Sequence, residues 1–177
     1  AAPTVRATRP RRLLGMTPEV TIRPARAEEA AALTDLALRS KSHWGYDAEF
    51  LAACRAELTI RPDECASGAI RIAVRGSKLL GFHCLRGTPP HGELASLFVD
   101  LDAIGRGIGG LLLKDALTEA AARGFDDLTL EADPGAEPFY AHYGAVRIGE
   151  TASGSIAGRV LPRMRFMLTS MRDPRES

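Results

Sequence analysis

The sequence predicts an α/β (α+β) chain, a mixed and mostly antiparallel central sheet with helices on both faces. Three patterns carry that expectation. Two segments with apolar residues at helical spacing precede a run of period-two alternation between 69 and 100. Turn residues cut that run into short neighbouring strands, as in an antiparallel meander. At a glycine-rich turn, 105–110, the pattern switches to a strand–helix–strand order.

Val20–Pro24 reads as a short strand. Ala25–Ser40 reads as an amphipathic helix with Ala30, Leu33, Leu36 and Ala37 on one face. His43-Trp44-Gly45-Tyr46 interrupts it as a loop. Asp47 is placed to cap a second helix, whose apolar face is Phe50, Leu51, Cys54 and Leu58 and which Arg61-Pro62-Asp63 ends. Ala69–Arg75 alternates Ile70, Ile72 and Val74 with Arg71 and Arg75, and Gly76-Ser77 turns it back into Lys78–Arg86. Gly87–Gly92, with Pro89-Pro90, turns the chain again into a third strand over His91–Asp100. Gly107–Arg123 is a long helix rich in Leu and Ala, stopped by Gly124. Asp127–Ala132 is a strand, and Pro134–Tyr143 a short helix with proline in an early turn. Ala145–Gly149 and Arg163–Leu168 are the last strands, joined by a Gly/Ser-rich loop.

No repeat or second domain interrupts this order, so the expected layout is one domain over 19–170, with tails at 1–18 and 171–177. The first tail gathers Arg6, Arg9, Arg11 and Arg12 around Pro3 and Pro10, and reads as disordered or as lying upstream of a start at Met16. The formal net charge of +1 gives no bulk attraction to nucleic acid or membrane. No apolar run is long enough to span a bilayer, and no secretory h-region is present, so a cytoplasmic location is expected. Cys54, Cys65 and Cys84 lack metal-ligand or disulfide-framework spacing; they read as buried free thiols, and no metal is expected.

The stretch Leu97-Phe98-Val99-Asp100-Leu101-Asp102-Ala103-Ile104-Gly105-Arg106-Gly107-Ile108-Gly109-Gly110 runs a strand into a glycine turn and then into a helix. Glycines let a ligand approach the backbone, and the helix start offers unpaired N–H groups and a favourable dipole. That is an anion site suited to a pyrophosphate, with Arg106 at its edge. No Lys-Ser/Thr follows the glycines, which excludes an ATP P-loop. Gly105, Gly107 and Gly110 do satisfy G-x-G-x-x-G, and Glu131 stands about where a dinucleotide fold keeps its ribose carboxylate. Against that reading, the turn follows an antiparallel meander and only one strand–helix–strand unit follows it.

These residues resemble the GNAT superfamily of N-acetyltransferases. Phe98-Val99 ends the strand, and Ile104-Gly105-Arg106-Gly107-Ile108-Gly109 fills the family's Q/R-x-x-G-x-G/A turn. Asp133-Pro134-Gly135-Ala136-Glu137-Pro138-Phe139-Tyr140-Ala141-His142-Tyr143-Gly144-Ala145 fits the family's second signature, N-x-x-A-x-x-F-Y-x-x-x-G-F. Ile104, Asp133 and Ala145 depart from the usual Gln/Arg, Asn and Phe. The resemblance covers roughly Val20 to Leu168 and is strong from Glu93 to Gly149.

The resemblance implies direct transfer from acetyl-CoA, held where the strand Leu94–Asp100 splays from Asp127–Ala132. It implies that the pantetheine arm pairs with Leu97, Phe98 and Val99, that the Val99 N–H meets the developing oxyanion, and that Ile104 through Gly110 cradle the pyrophosphate. Asp133, Ala136, Phe139 and Tyr140 would line the arm, with Tyr140 as proton donor to the departing thiolate. Glu93 is the candidate base: it lies six positions before Val99, on the same face by period two, at the offset used by family branches such as histone acetyltransferases. His83 or His91 are alternatives, directly or through water. The acceptor, a small-molecule or peptide primary amine, would approach over 42–46 and 151–163. There Trp44 and Tyr46 either wall a pocket or plug the core, and Arg159 would read a carboxylate. The resemblance also admits a homodimer. Two other functions stay open, a non-catalytic acyl-CoA-binding module and a dinucleotide-binding oxidoreductase.

Overall fold

The computed structural model describes residues 19–154 and 156–169; the expected tails lie outside the described residues. The strands are β1 Val20–Pro24, β2 Ile70–Arg75, β3 Lys78–Thr88, β4 His91–Val99, β5 Asp127–Glu131, β6 Val146–Ala152 and β7 Val160–Met167. They form one seven-stranded sheet in the order β1-β2-β3-β4-β5-β7-β6. Every neighbouring pair is antiparallel except β4 and β5. That pairing covers only His91↔Asp127, Gly92↔Leu128 and Glu93↔Thr129. Beyond Glu93 the two strands part, which opens the sheet where the sequence resemblance implied a gap.

The helices are α1 Ala30–Ser42, α2 Ala48–Leu58, α3 Pro62–Ala66, α4 Ile108–Ala122 and α5 Glu137–His142. Asp47 caps α2 as expected, accepting a hydrogen bond of 2.8 Å from the Phe50 N–H. Arg61-Pro62-Asp63 does more than end α2: it opens α3. Pro62 has no N–H to leave unpaired in a first turn, and the Glu64 carboxylate accepts from the Arg61 N–H at 3.1 Å. The last hairpin is longer than its apolar pattern indicated. β6 is an edge strand exposed along nearly its whole length, so it carries no alternation to read.

Two apolar layers hold the sheet. On one face Leu33, Leu36 and Ala37 of α1 pack with Ile70, Ile72, Phe82 and Cys84. On the other, Leu113, Ala116, Leu117 and Ala120 of α4 pack with Leu94, Leu128, Leu130, Met164 and Phe166. Each buried Leu, Ile, Phe or Met among them contributes roughly 1.5–3 kcal/mol. Cys54, Cys65 and Cys84 are free and buried. The α1 layer stops short of β5 and β7, so on that face Glu131, Arg163, Arg165 and Met167 are exposed.

β4 carries a bulge. Cys84 pairs with Ser96, but Leu85 pairs with Leu94, so Ala95 is an extra residue. Leu94, Leu97 and Val99 therefore all pack toward α4, while Ala95 and Phe98 turn toward α1. Glu93 and Val99 thus lie on opposite faces, contrary to the period-two expectation.

Candidate active site

A cleft of about 510 Å³ runs through the gap between β4 and β5. Leu94 through Val99 form one wall, and Leu130, Glu131 and α5 the other; Trp44 and Lys41 stand at the α1 end and the glycine turn at the far end. The backbone of β4 is turned into it. The Asp100 N–H donates to Leu80 O on β3 at 2.8 Å. N–H directions alternate along a strand, so those of Leu97 and Val99 point into the gap and that of Phe98 points to β3. Phe98 is accordingly set apart from its neighbours: it lines the cleft but has no backbone edge to offer there.

Gly105 and Gly107 have φ of 76° and 79°. An added Cβ at either would meet nothing within 4 Å, so it is the left-handed backbone, not lack of room, that requires glycine. Gly107 caps α4, and the Leu111 N–H is the first to find a helical partner, Gly107 O at 3.1 Å. The N–H groups of Ile108, Gly109 and Gly110 are the unpaired first turn of a fifteen-residue helix. Arg106 and Ile108 are not among the cleft residues: the Arg106 N–H is bound to Ala103 O at 3.3 Å, and the Ile108 side chain is core. Ile104 is exposed and reaches the cleft rim. Gly110 lets Tyr143 approach closely, since a Cβ there would collide with the Tyr143 Oη. The cleft's length, its free strand edge and this turn fit an extended thioester carrier ending in a pyrophosphate.

Tyr140 is buried on α5 and lines the cleft with Ala136 and Phe139. Burial pushes its hydroxyl pKa up, and the Asp133 carboxylate adds to that. Asp133 is the hub of a charged cluster. The Tyr46 hydroxyl donates to both its oxygens at 2.9 Å, with Arg159 Nη2 at 3.1 Å and Lys41 Nζ at 3.4 Å. Arg159 also donates to the Tyr46 hydroxyl and lies over the rings of Tyr46 and Phe50, which stack on each other. Burial alone would raise the Asp133 carboxyl; the Tyr46 hydrogen bond and the two cations outweigh it and hold it below its usual range. Burial and the Asp133 hydrogen bond push the Tyr46 phenol up to about 12.

Arg159 is therefore engaged in tying the β6–β7 loop to Asp133 rather than presented to a substrate carboxylate. Tyr46 is likewise part of this latch and not of the cleft lining. Trp44 is no core plug: it is 46% exposed and leans on Gly135, whose added Cβ would fall 2.7 Å from the ring. The latch sets a pH dependence. Asp133, with its pKa lowered, contributes stability that is present above about pH 4 and lost as pH falls through its folded value. Tyr46, with its pKa raised, contributes stability present below about pH 10 and lost as pH rises toward about 12. Asp133→Asn is expected to lower Tm by roughly 4–8 °C at pH 7, about 2 kcal/mol. In a thermal-melt series, that gap should narrow below pH 4 and above pH 10; a gap independent of pH would remove the latch.

The three proposed proton acceptors, His83, His91 and Glu93, lie outside the cleft lining. His83 is 0% exposed and outside the cleft lining. Its Nε2 is 2.7 Å from Asp115 Oδ2, Arg71 holds the same carboxylate at 2.8 Å, and His83 Nδ1 is buried without a hydrogen-bond partner. It is a packed polar group beneath α4, reached by no substrate. Because of the bulge, Glu93 opens instead on a second depression, with His91, Thr129, Arg163 and Arg165. Leu94, next to it in the chain, lines the main cleft. Glu131, which the sequence offered only as a ribose ligand, lines the main cleft itself.

The family model for the acetyltransferase (GNAT) domain matches residues 49–165. The chain belongs to the GNAT acetyltransferase family. Its fold is similar to the PaiA N-acetyltransferase of Thermoplasma acidophilum, solved in complex with coenzyme A. Identity there is 21%, over 84% of this chain and 99% of that one, with a TM-score of 0.72. A GCN5-related N-acetyltransferase of Rhodopseudomonas palustris matches at 27% identity over 88% and 99%, with a TM-score of 0.67. YncA of Salmonella typhimurium, solved with acetyl-CoA, matches at 20% over 90% and 99%, with a TM-score of 0.62. No curated protein matches the chain. GNAT membership makes acyl transfer the general chemistry of this cleft. A sheet with a single parallel pair also removes the doubly wound dinucleotide fold. Among the described residues no helix is long and apolar enough to cross a membrane, and no group of three or more His, Cys, Asp or Glu is placed to hold a metal.

Proposed function

We propose that this GNAT protein transfers an acetyl group from acetyl-CoA to a primary amine by direct attack. One observation carries the reading: the free backbone edge of Leu97 and Val99 faces a cleft that ends on the unpaired N–H groups of α4 and is lined by Tyr140. The thioester supplies an activated acyl carbon; the amine nitrogen bonds to it as the C–S bond breaks. Leu97 and Val99 hold the arm as an added strand would, and the Val99 N–H receives the negative charge on the carbonyl oxygen. Gly105, Gly107, Gly109 and Gly110 shape the pyrophosphate seat, with Ile104 at its rim and the Ile108 N–H within it; Arg106 adds charge outside it. Ala136 and Phe139 wall the arm, and Asp133 fixes the loop beside it. The incoming ammonium loses its proton to Glu93 as it crosses the adjoining depression, before it reaches the thioester, and Tyr140 gives one to the sulfur.

The test is thermal-shift titration with acetyl-CoA, CoA, NADH and ATP, followed by free-thiol release and mass spectrometry of an amine panel. A ligand that binds only the folded chain raises Tm by mass action. Shifts with acetyl-CoA and CoA, together with a gain of one acetyl group on an amine, are expected. A shift with acetyl-CoA but no acetylated amine would make the protein a binding module; no shift at all would overturn the acyl-CoA site.

A further inference from the structure

Given acetyl transfer to an amine, on which this rests, we propose that the acceptor carries an acidic group and that Arg163 and Arg165 are its specificity-determining residues. The second depression, of about 440 Å³, lies on the sheet face that α1 leaves uncovered. Glu93, Thr129 and Arg165 form one row across β4, β5 and β7, because Glu93 pairs with Thr129 and Thr129 with Arg165. In the next row, toward the gap, Arg163 stands opposite Glu131. Glu131 lines the cleft and Thr129 the depression, so the two hollows adjoin along β5.

Elsewhere in the molecule the arginines are paired. Arg23, Arg71, Arg86, Arg123, Arg147 and Arg159 are each committed to a carboxylate. Among the described residues, the Arg163 and Arg165 guanidinium groups form no ion pair or side-chain hydrogen bond, not even across the strands with Glu131. Asp127, on the same face, is occupied by His91 at 2.7 Å. Arg86, the cross-strand neighbour of Glu93, is drawn away to Glu64 at 2.7 Å. What remains is Glu93 in the depression, Glu131 in the cleft beside it, and two uncommitted guanidinium groups on β7. Two strand spacings separate Glu93 from Arg165 at the backbone, roughly 10 Å, and both residues line the same depression. An amine placed at the carboxylates, with an acid group a few bonds away, meets both signs. The planar fork of Arg suits a carboxylate or a phosphate, since each accepts two parallel hydrogen bonds. The position is also apart from Arg159, whose latch leaves it no free donor face for the same task.

The test uses matched acceptors with acetyl-CoA: β-alanine against β-alaninamide, and O-phosphoethanolamine against ethanolamine. In the full chain, kcat/KM for at least one acid is expected to exceed that for its neutral partner by tenfold or more. The arm that responds says whether the group is carboxylate or phosphate. In R163A/R165A that ratio should fall below about threefold, mainly through KM, whereas R55A, on the far exposed face of α2, should retain it. Calorimetric binding of the two acids in the presence of CoA is the readout independent of turnover. It should be present in the wild type and lost in R163A/R165A, whose thermal shift with acetyl-CoA reports that it is folded. Equal kcat/KM for acid and neutral acceptors, or a ratio and an acid affinity that survive in R163A/R165A, would overturn the proposal. If no amine is acetylated but acid binding depends on both arginines, the transfer reading fails and the anion site stands.

Discussion

Tyr140→Phe is expected to lower kcat by about 10²-fold or more while leaving the affinity for acetyl-CoA within about twofold. The ring stays, so its packing against Phe139, edge to face at 5.1 Å, is preserved. What disappears is one O–H on a residue that lines the cleft. The reference pKa of a phenol, about 10, makes it a fair partner for a thiolate of about 8.5. Burial alters that match: it pushes the Tyr140 hydroxyl up, so the group holds its proton more firmly. The sulfur leaves into the same poorly hydrated cleft, and desolvation raises its proton affinity as well. The expectation is thus toward the low end of the range seen for acid–base catalysis. Two further consequences follow from the direction of the shift. Tyr140 stays protonated throughout the neutral and mildly alkaline range, so the wild-type kcat profile should show no fall below pH 10 from this group. Single-turnover rates across pH should differ from those of Tyr140→Phe by a constant factor over that span. Turnover unchanged by the substitution would leave Tyr140 as a packing residue only.

The elements that build the cleft were legible because they answer to local rules. Gly105 and Gly107 are demanded by a left-handed backbone, Asp47 by a helix start, and Ile70 and Ile72 by a buried face, and all are found in those roles. What stayed hidden depends on contacts between distant segments. Ala95 has nothing in its own chemistry that marks it as the extra residue of a bulge; the bulge arises from the register between β3 and β4. That one residue reverses the side of the sheet on which Glu93 stands. The latch was hidden for the same reason, since Lys41 with Tyr46, Asp133, and Arg159 come from three separate segments. Asp133 read alone was a departure from a family Asn. In place, it is the anion that three partners require. His83 shows the converse: a polar residue within an apolar strand attracts a catalytic reading, but its partner Asp115, on α4, makes it a satisfied interior group on that side.

Gly107→Val should have the largest effect on acetyl-CoA affinity, a loss of at least tenfold in Kd. At φ 79° Gly107 occupies the left-handed region, which a β-branched residue rarely adopts. Holding a side chain there costs about 1–2 kcal/mol. The structure has open space around the position, so there is no collision to relieve. The chain can avoid the strain only by turning the peptide units on either side. Those units aim the first N–H groups of α4, so relaxation of the turn redirects the donors the pyrophosphate needs. Strain retained would appear as a lower Tm without ligand; strain relieved would appear as weaker binding. Both costs fall on the sum of the two measurements, which can be read from one thermal titration of the variant with acetyl-CoA. Gly109→Ala is the matched comparison. Its added Cβ would stand 3.4 Å from Phe139 Cζ, close but within reach of small adjustment, and the residue lies inside the helix with no positive φ. It should bind acetyl-CoA within about threefold of wild type. Equal affinities for Gly107→Val and the wild type, with Tm unchanged, would mean that the turn does not hold the pyrophosphate and that the cleft's ligand is seated by β4 alone.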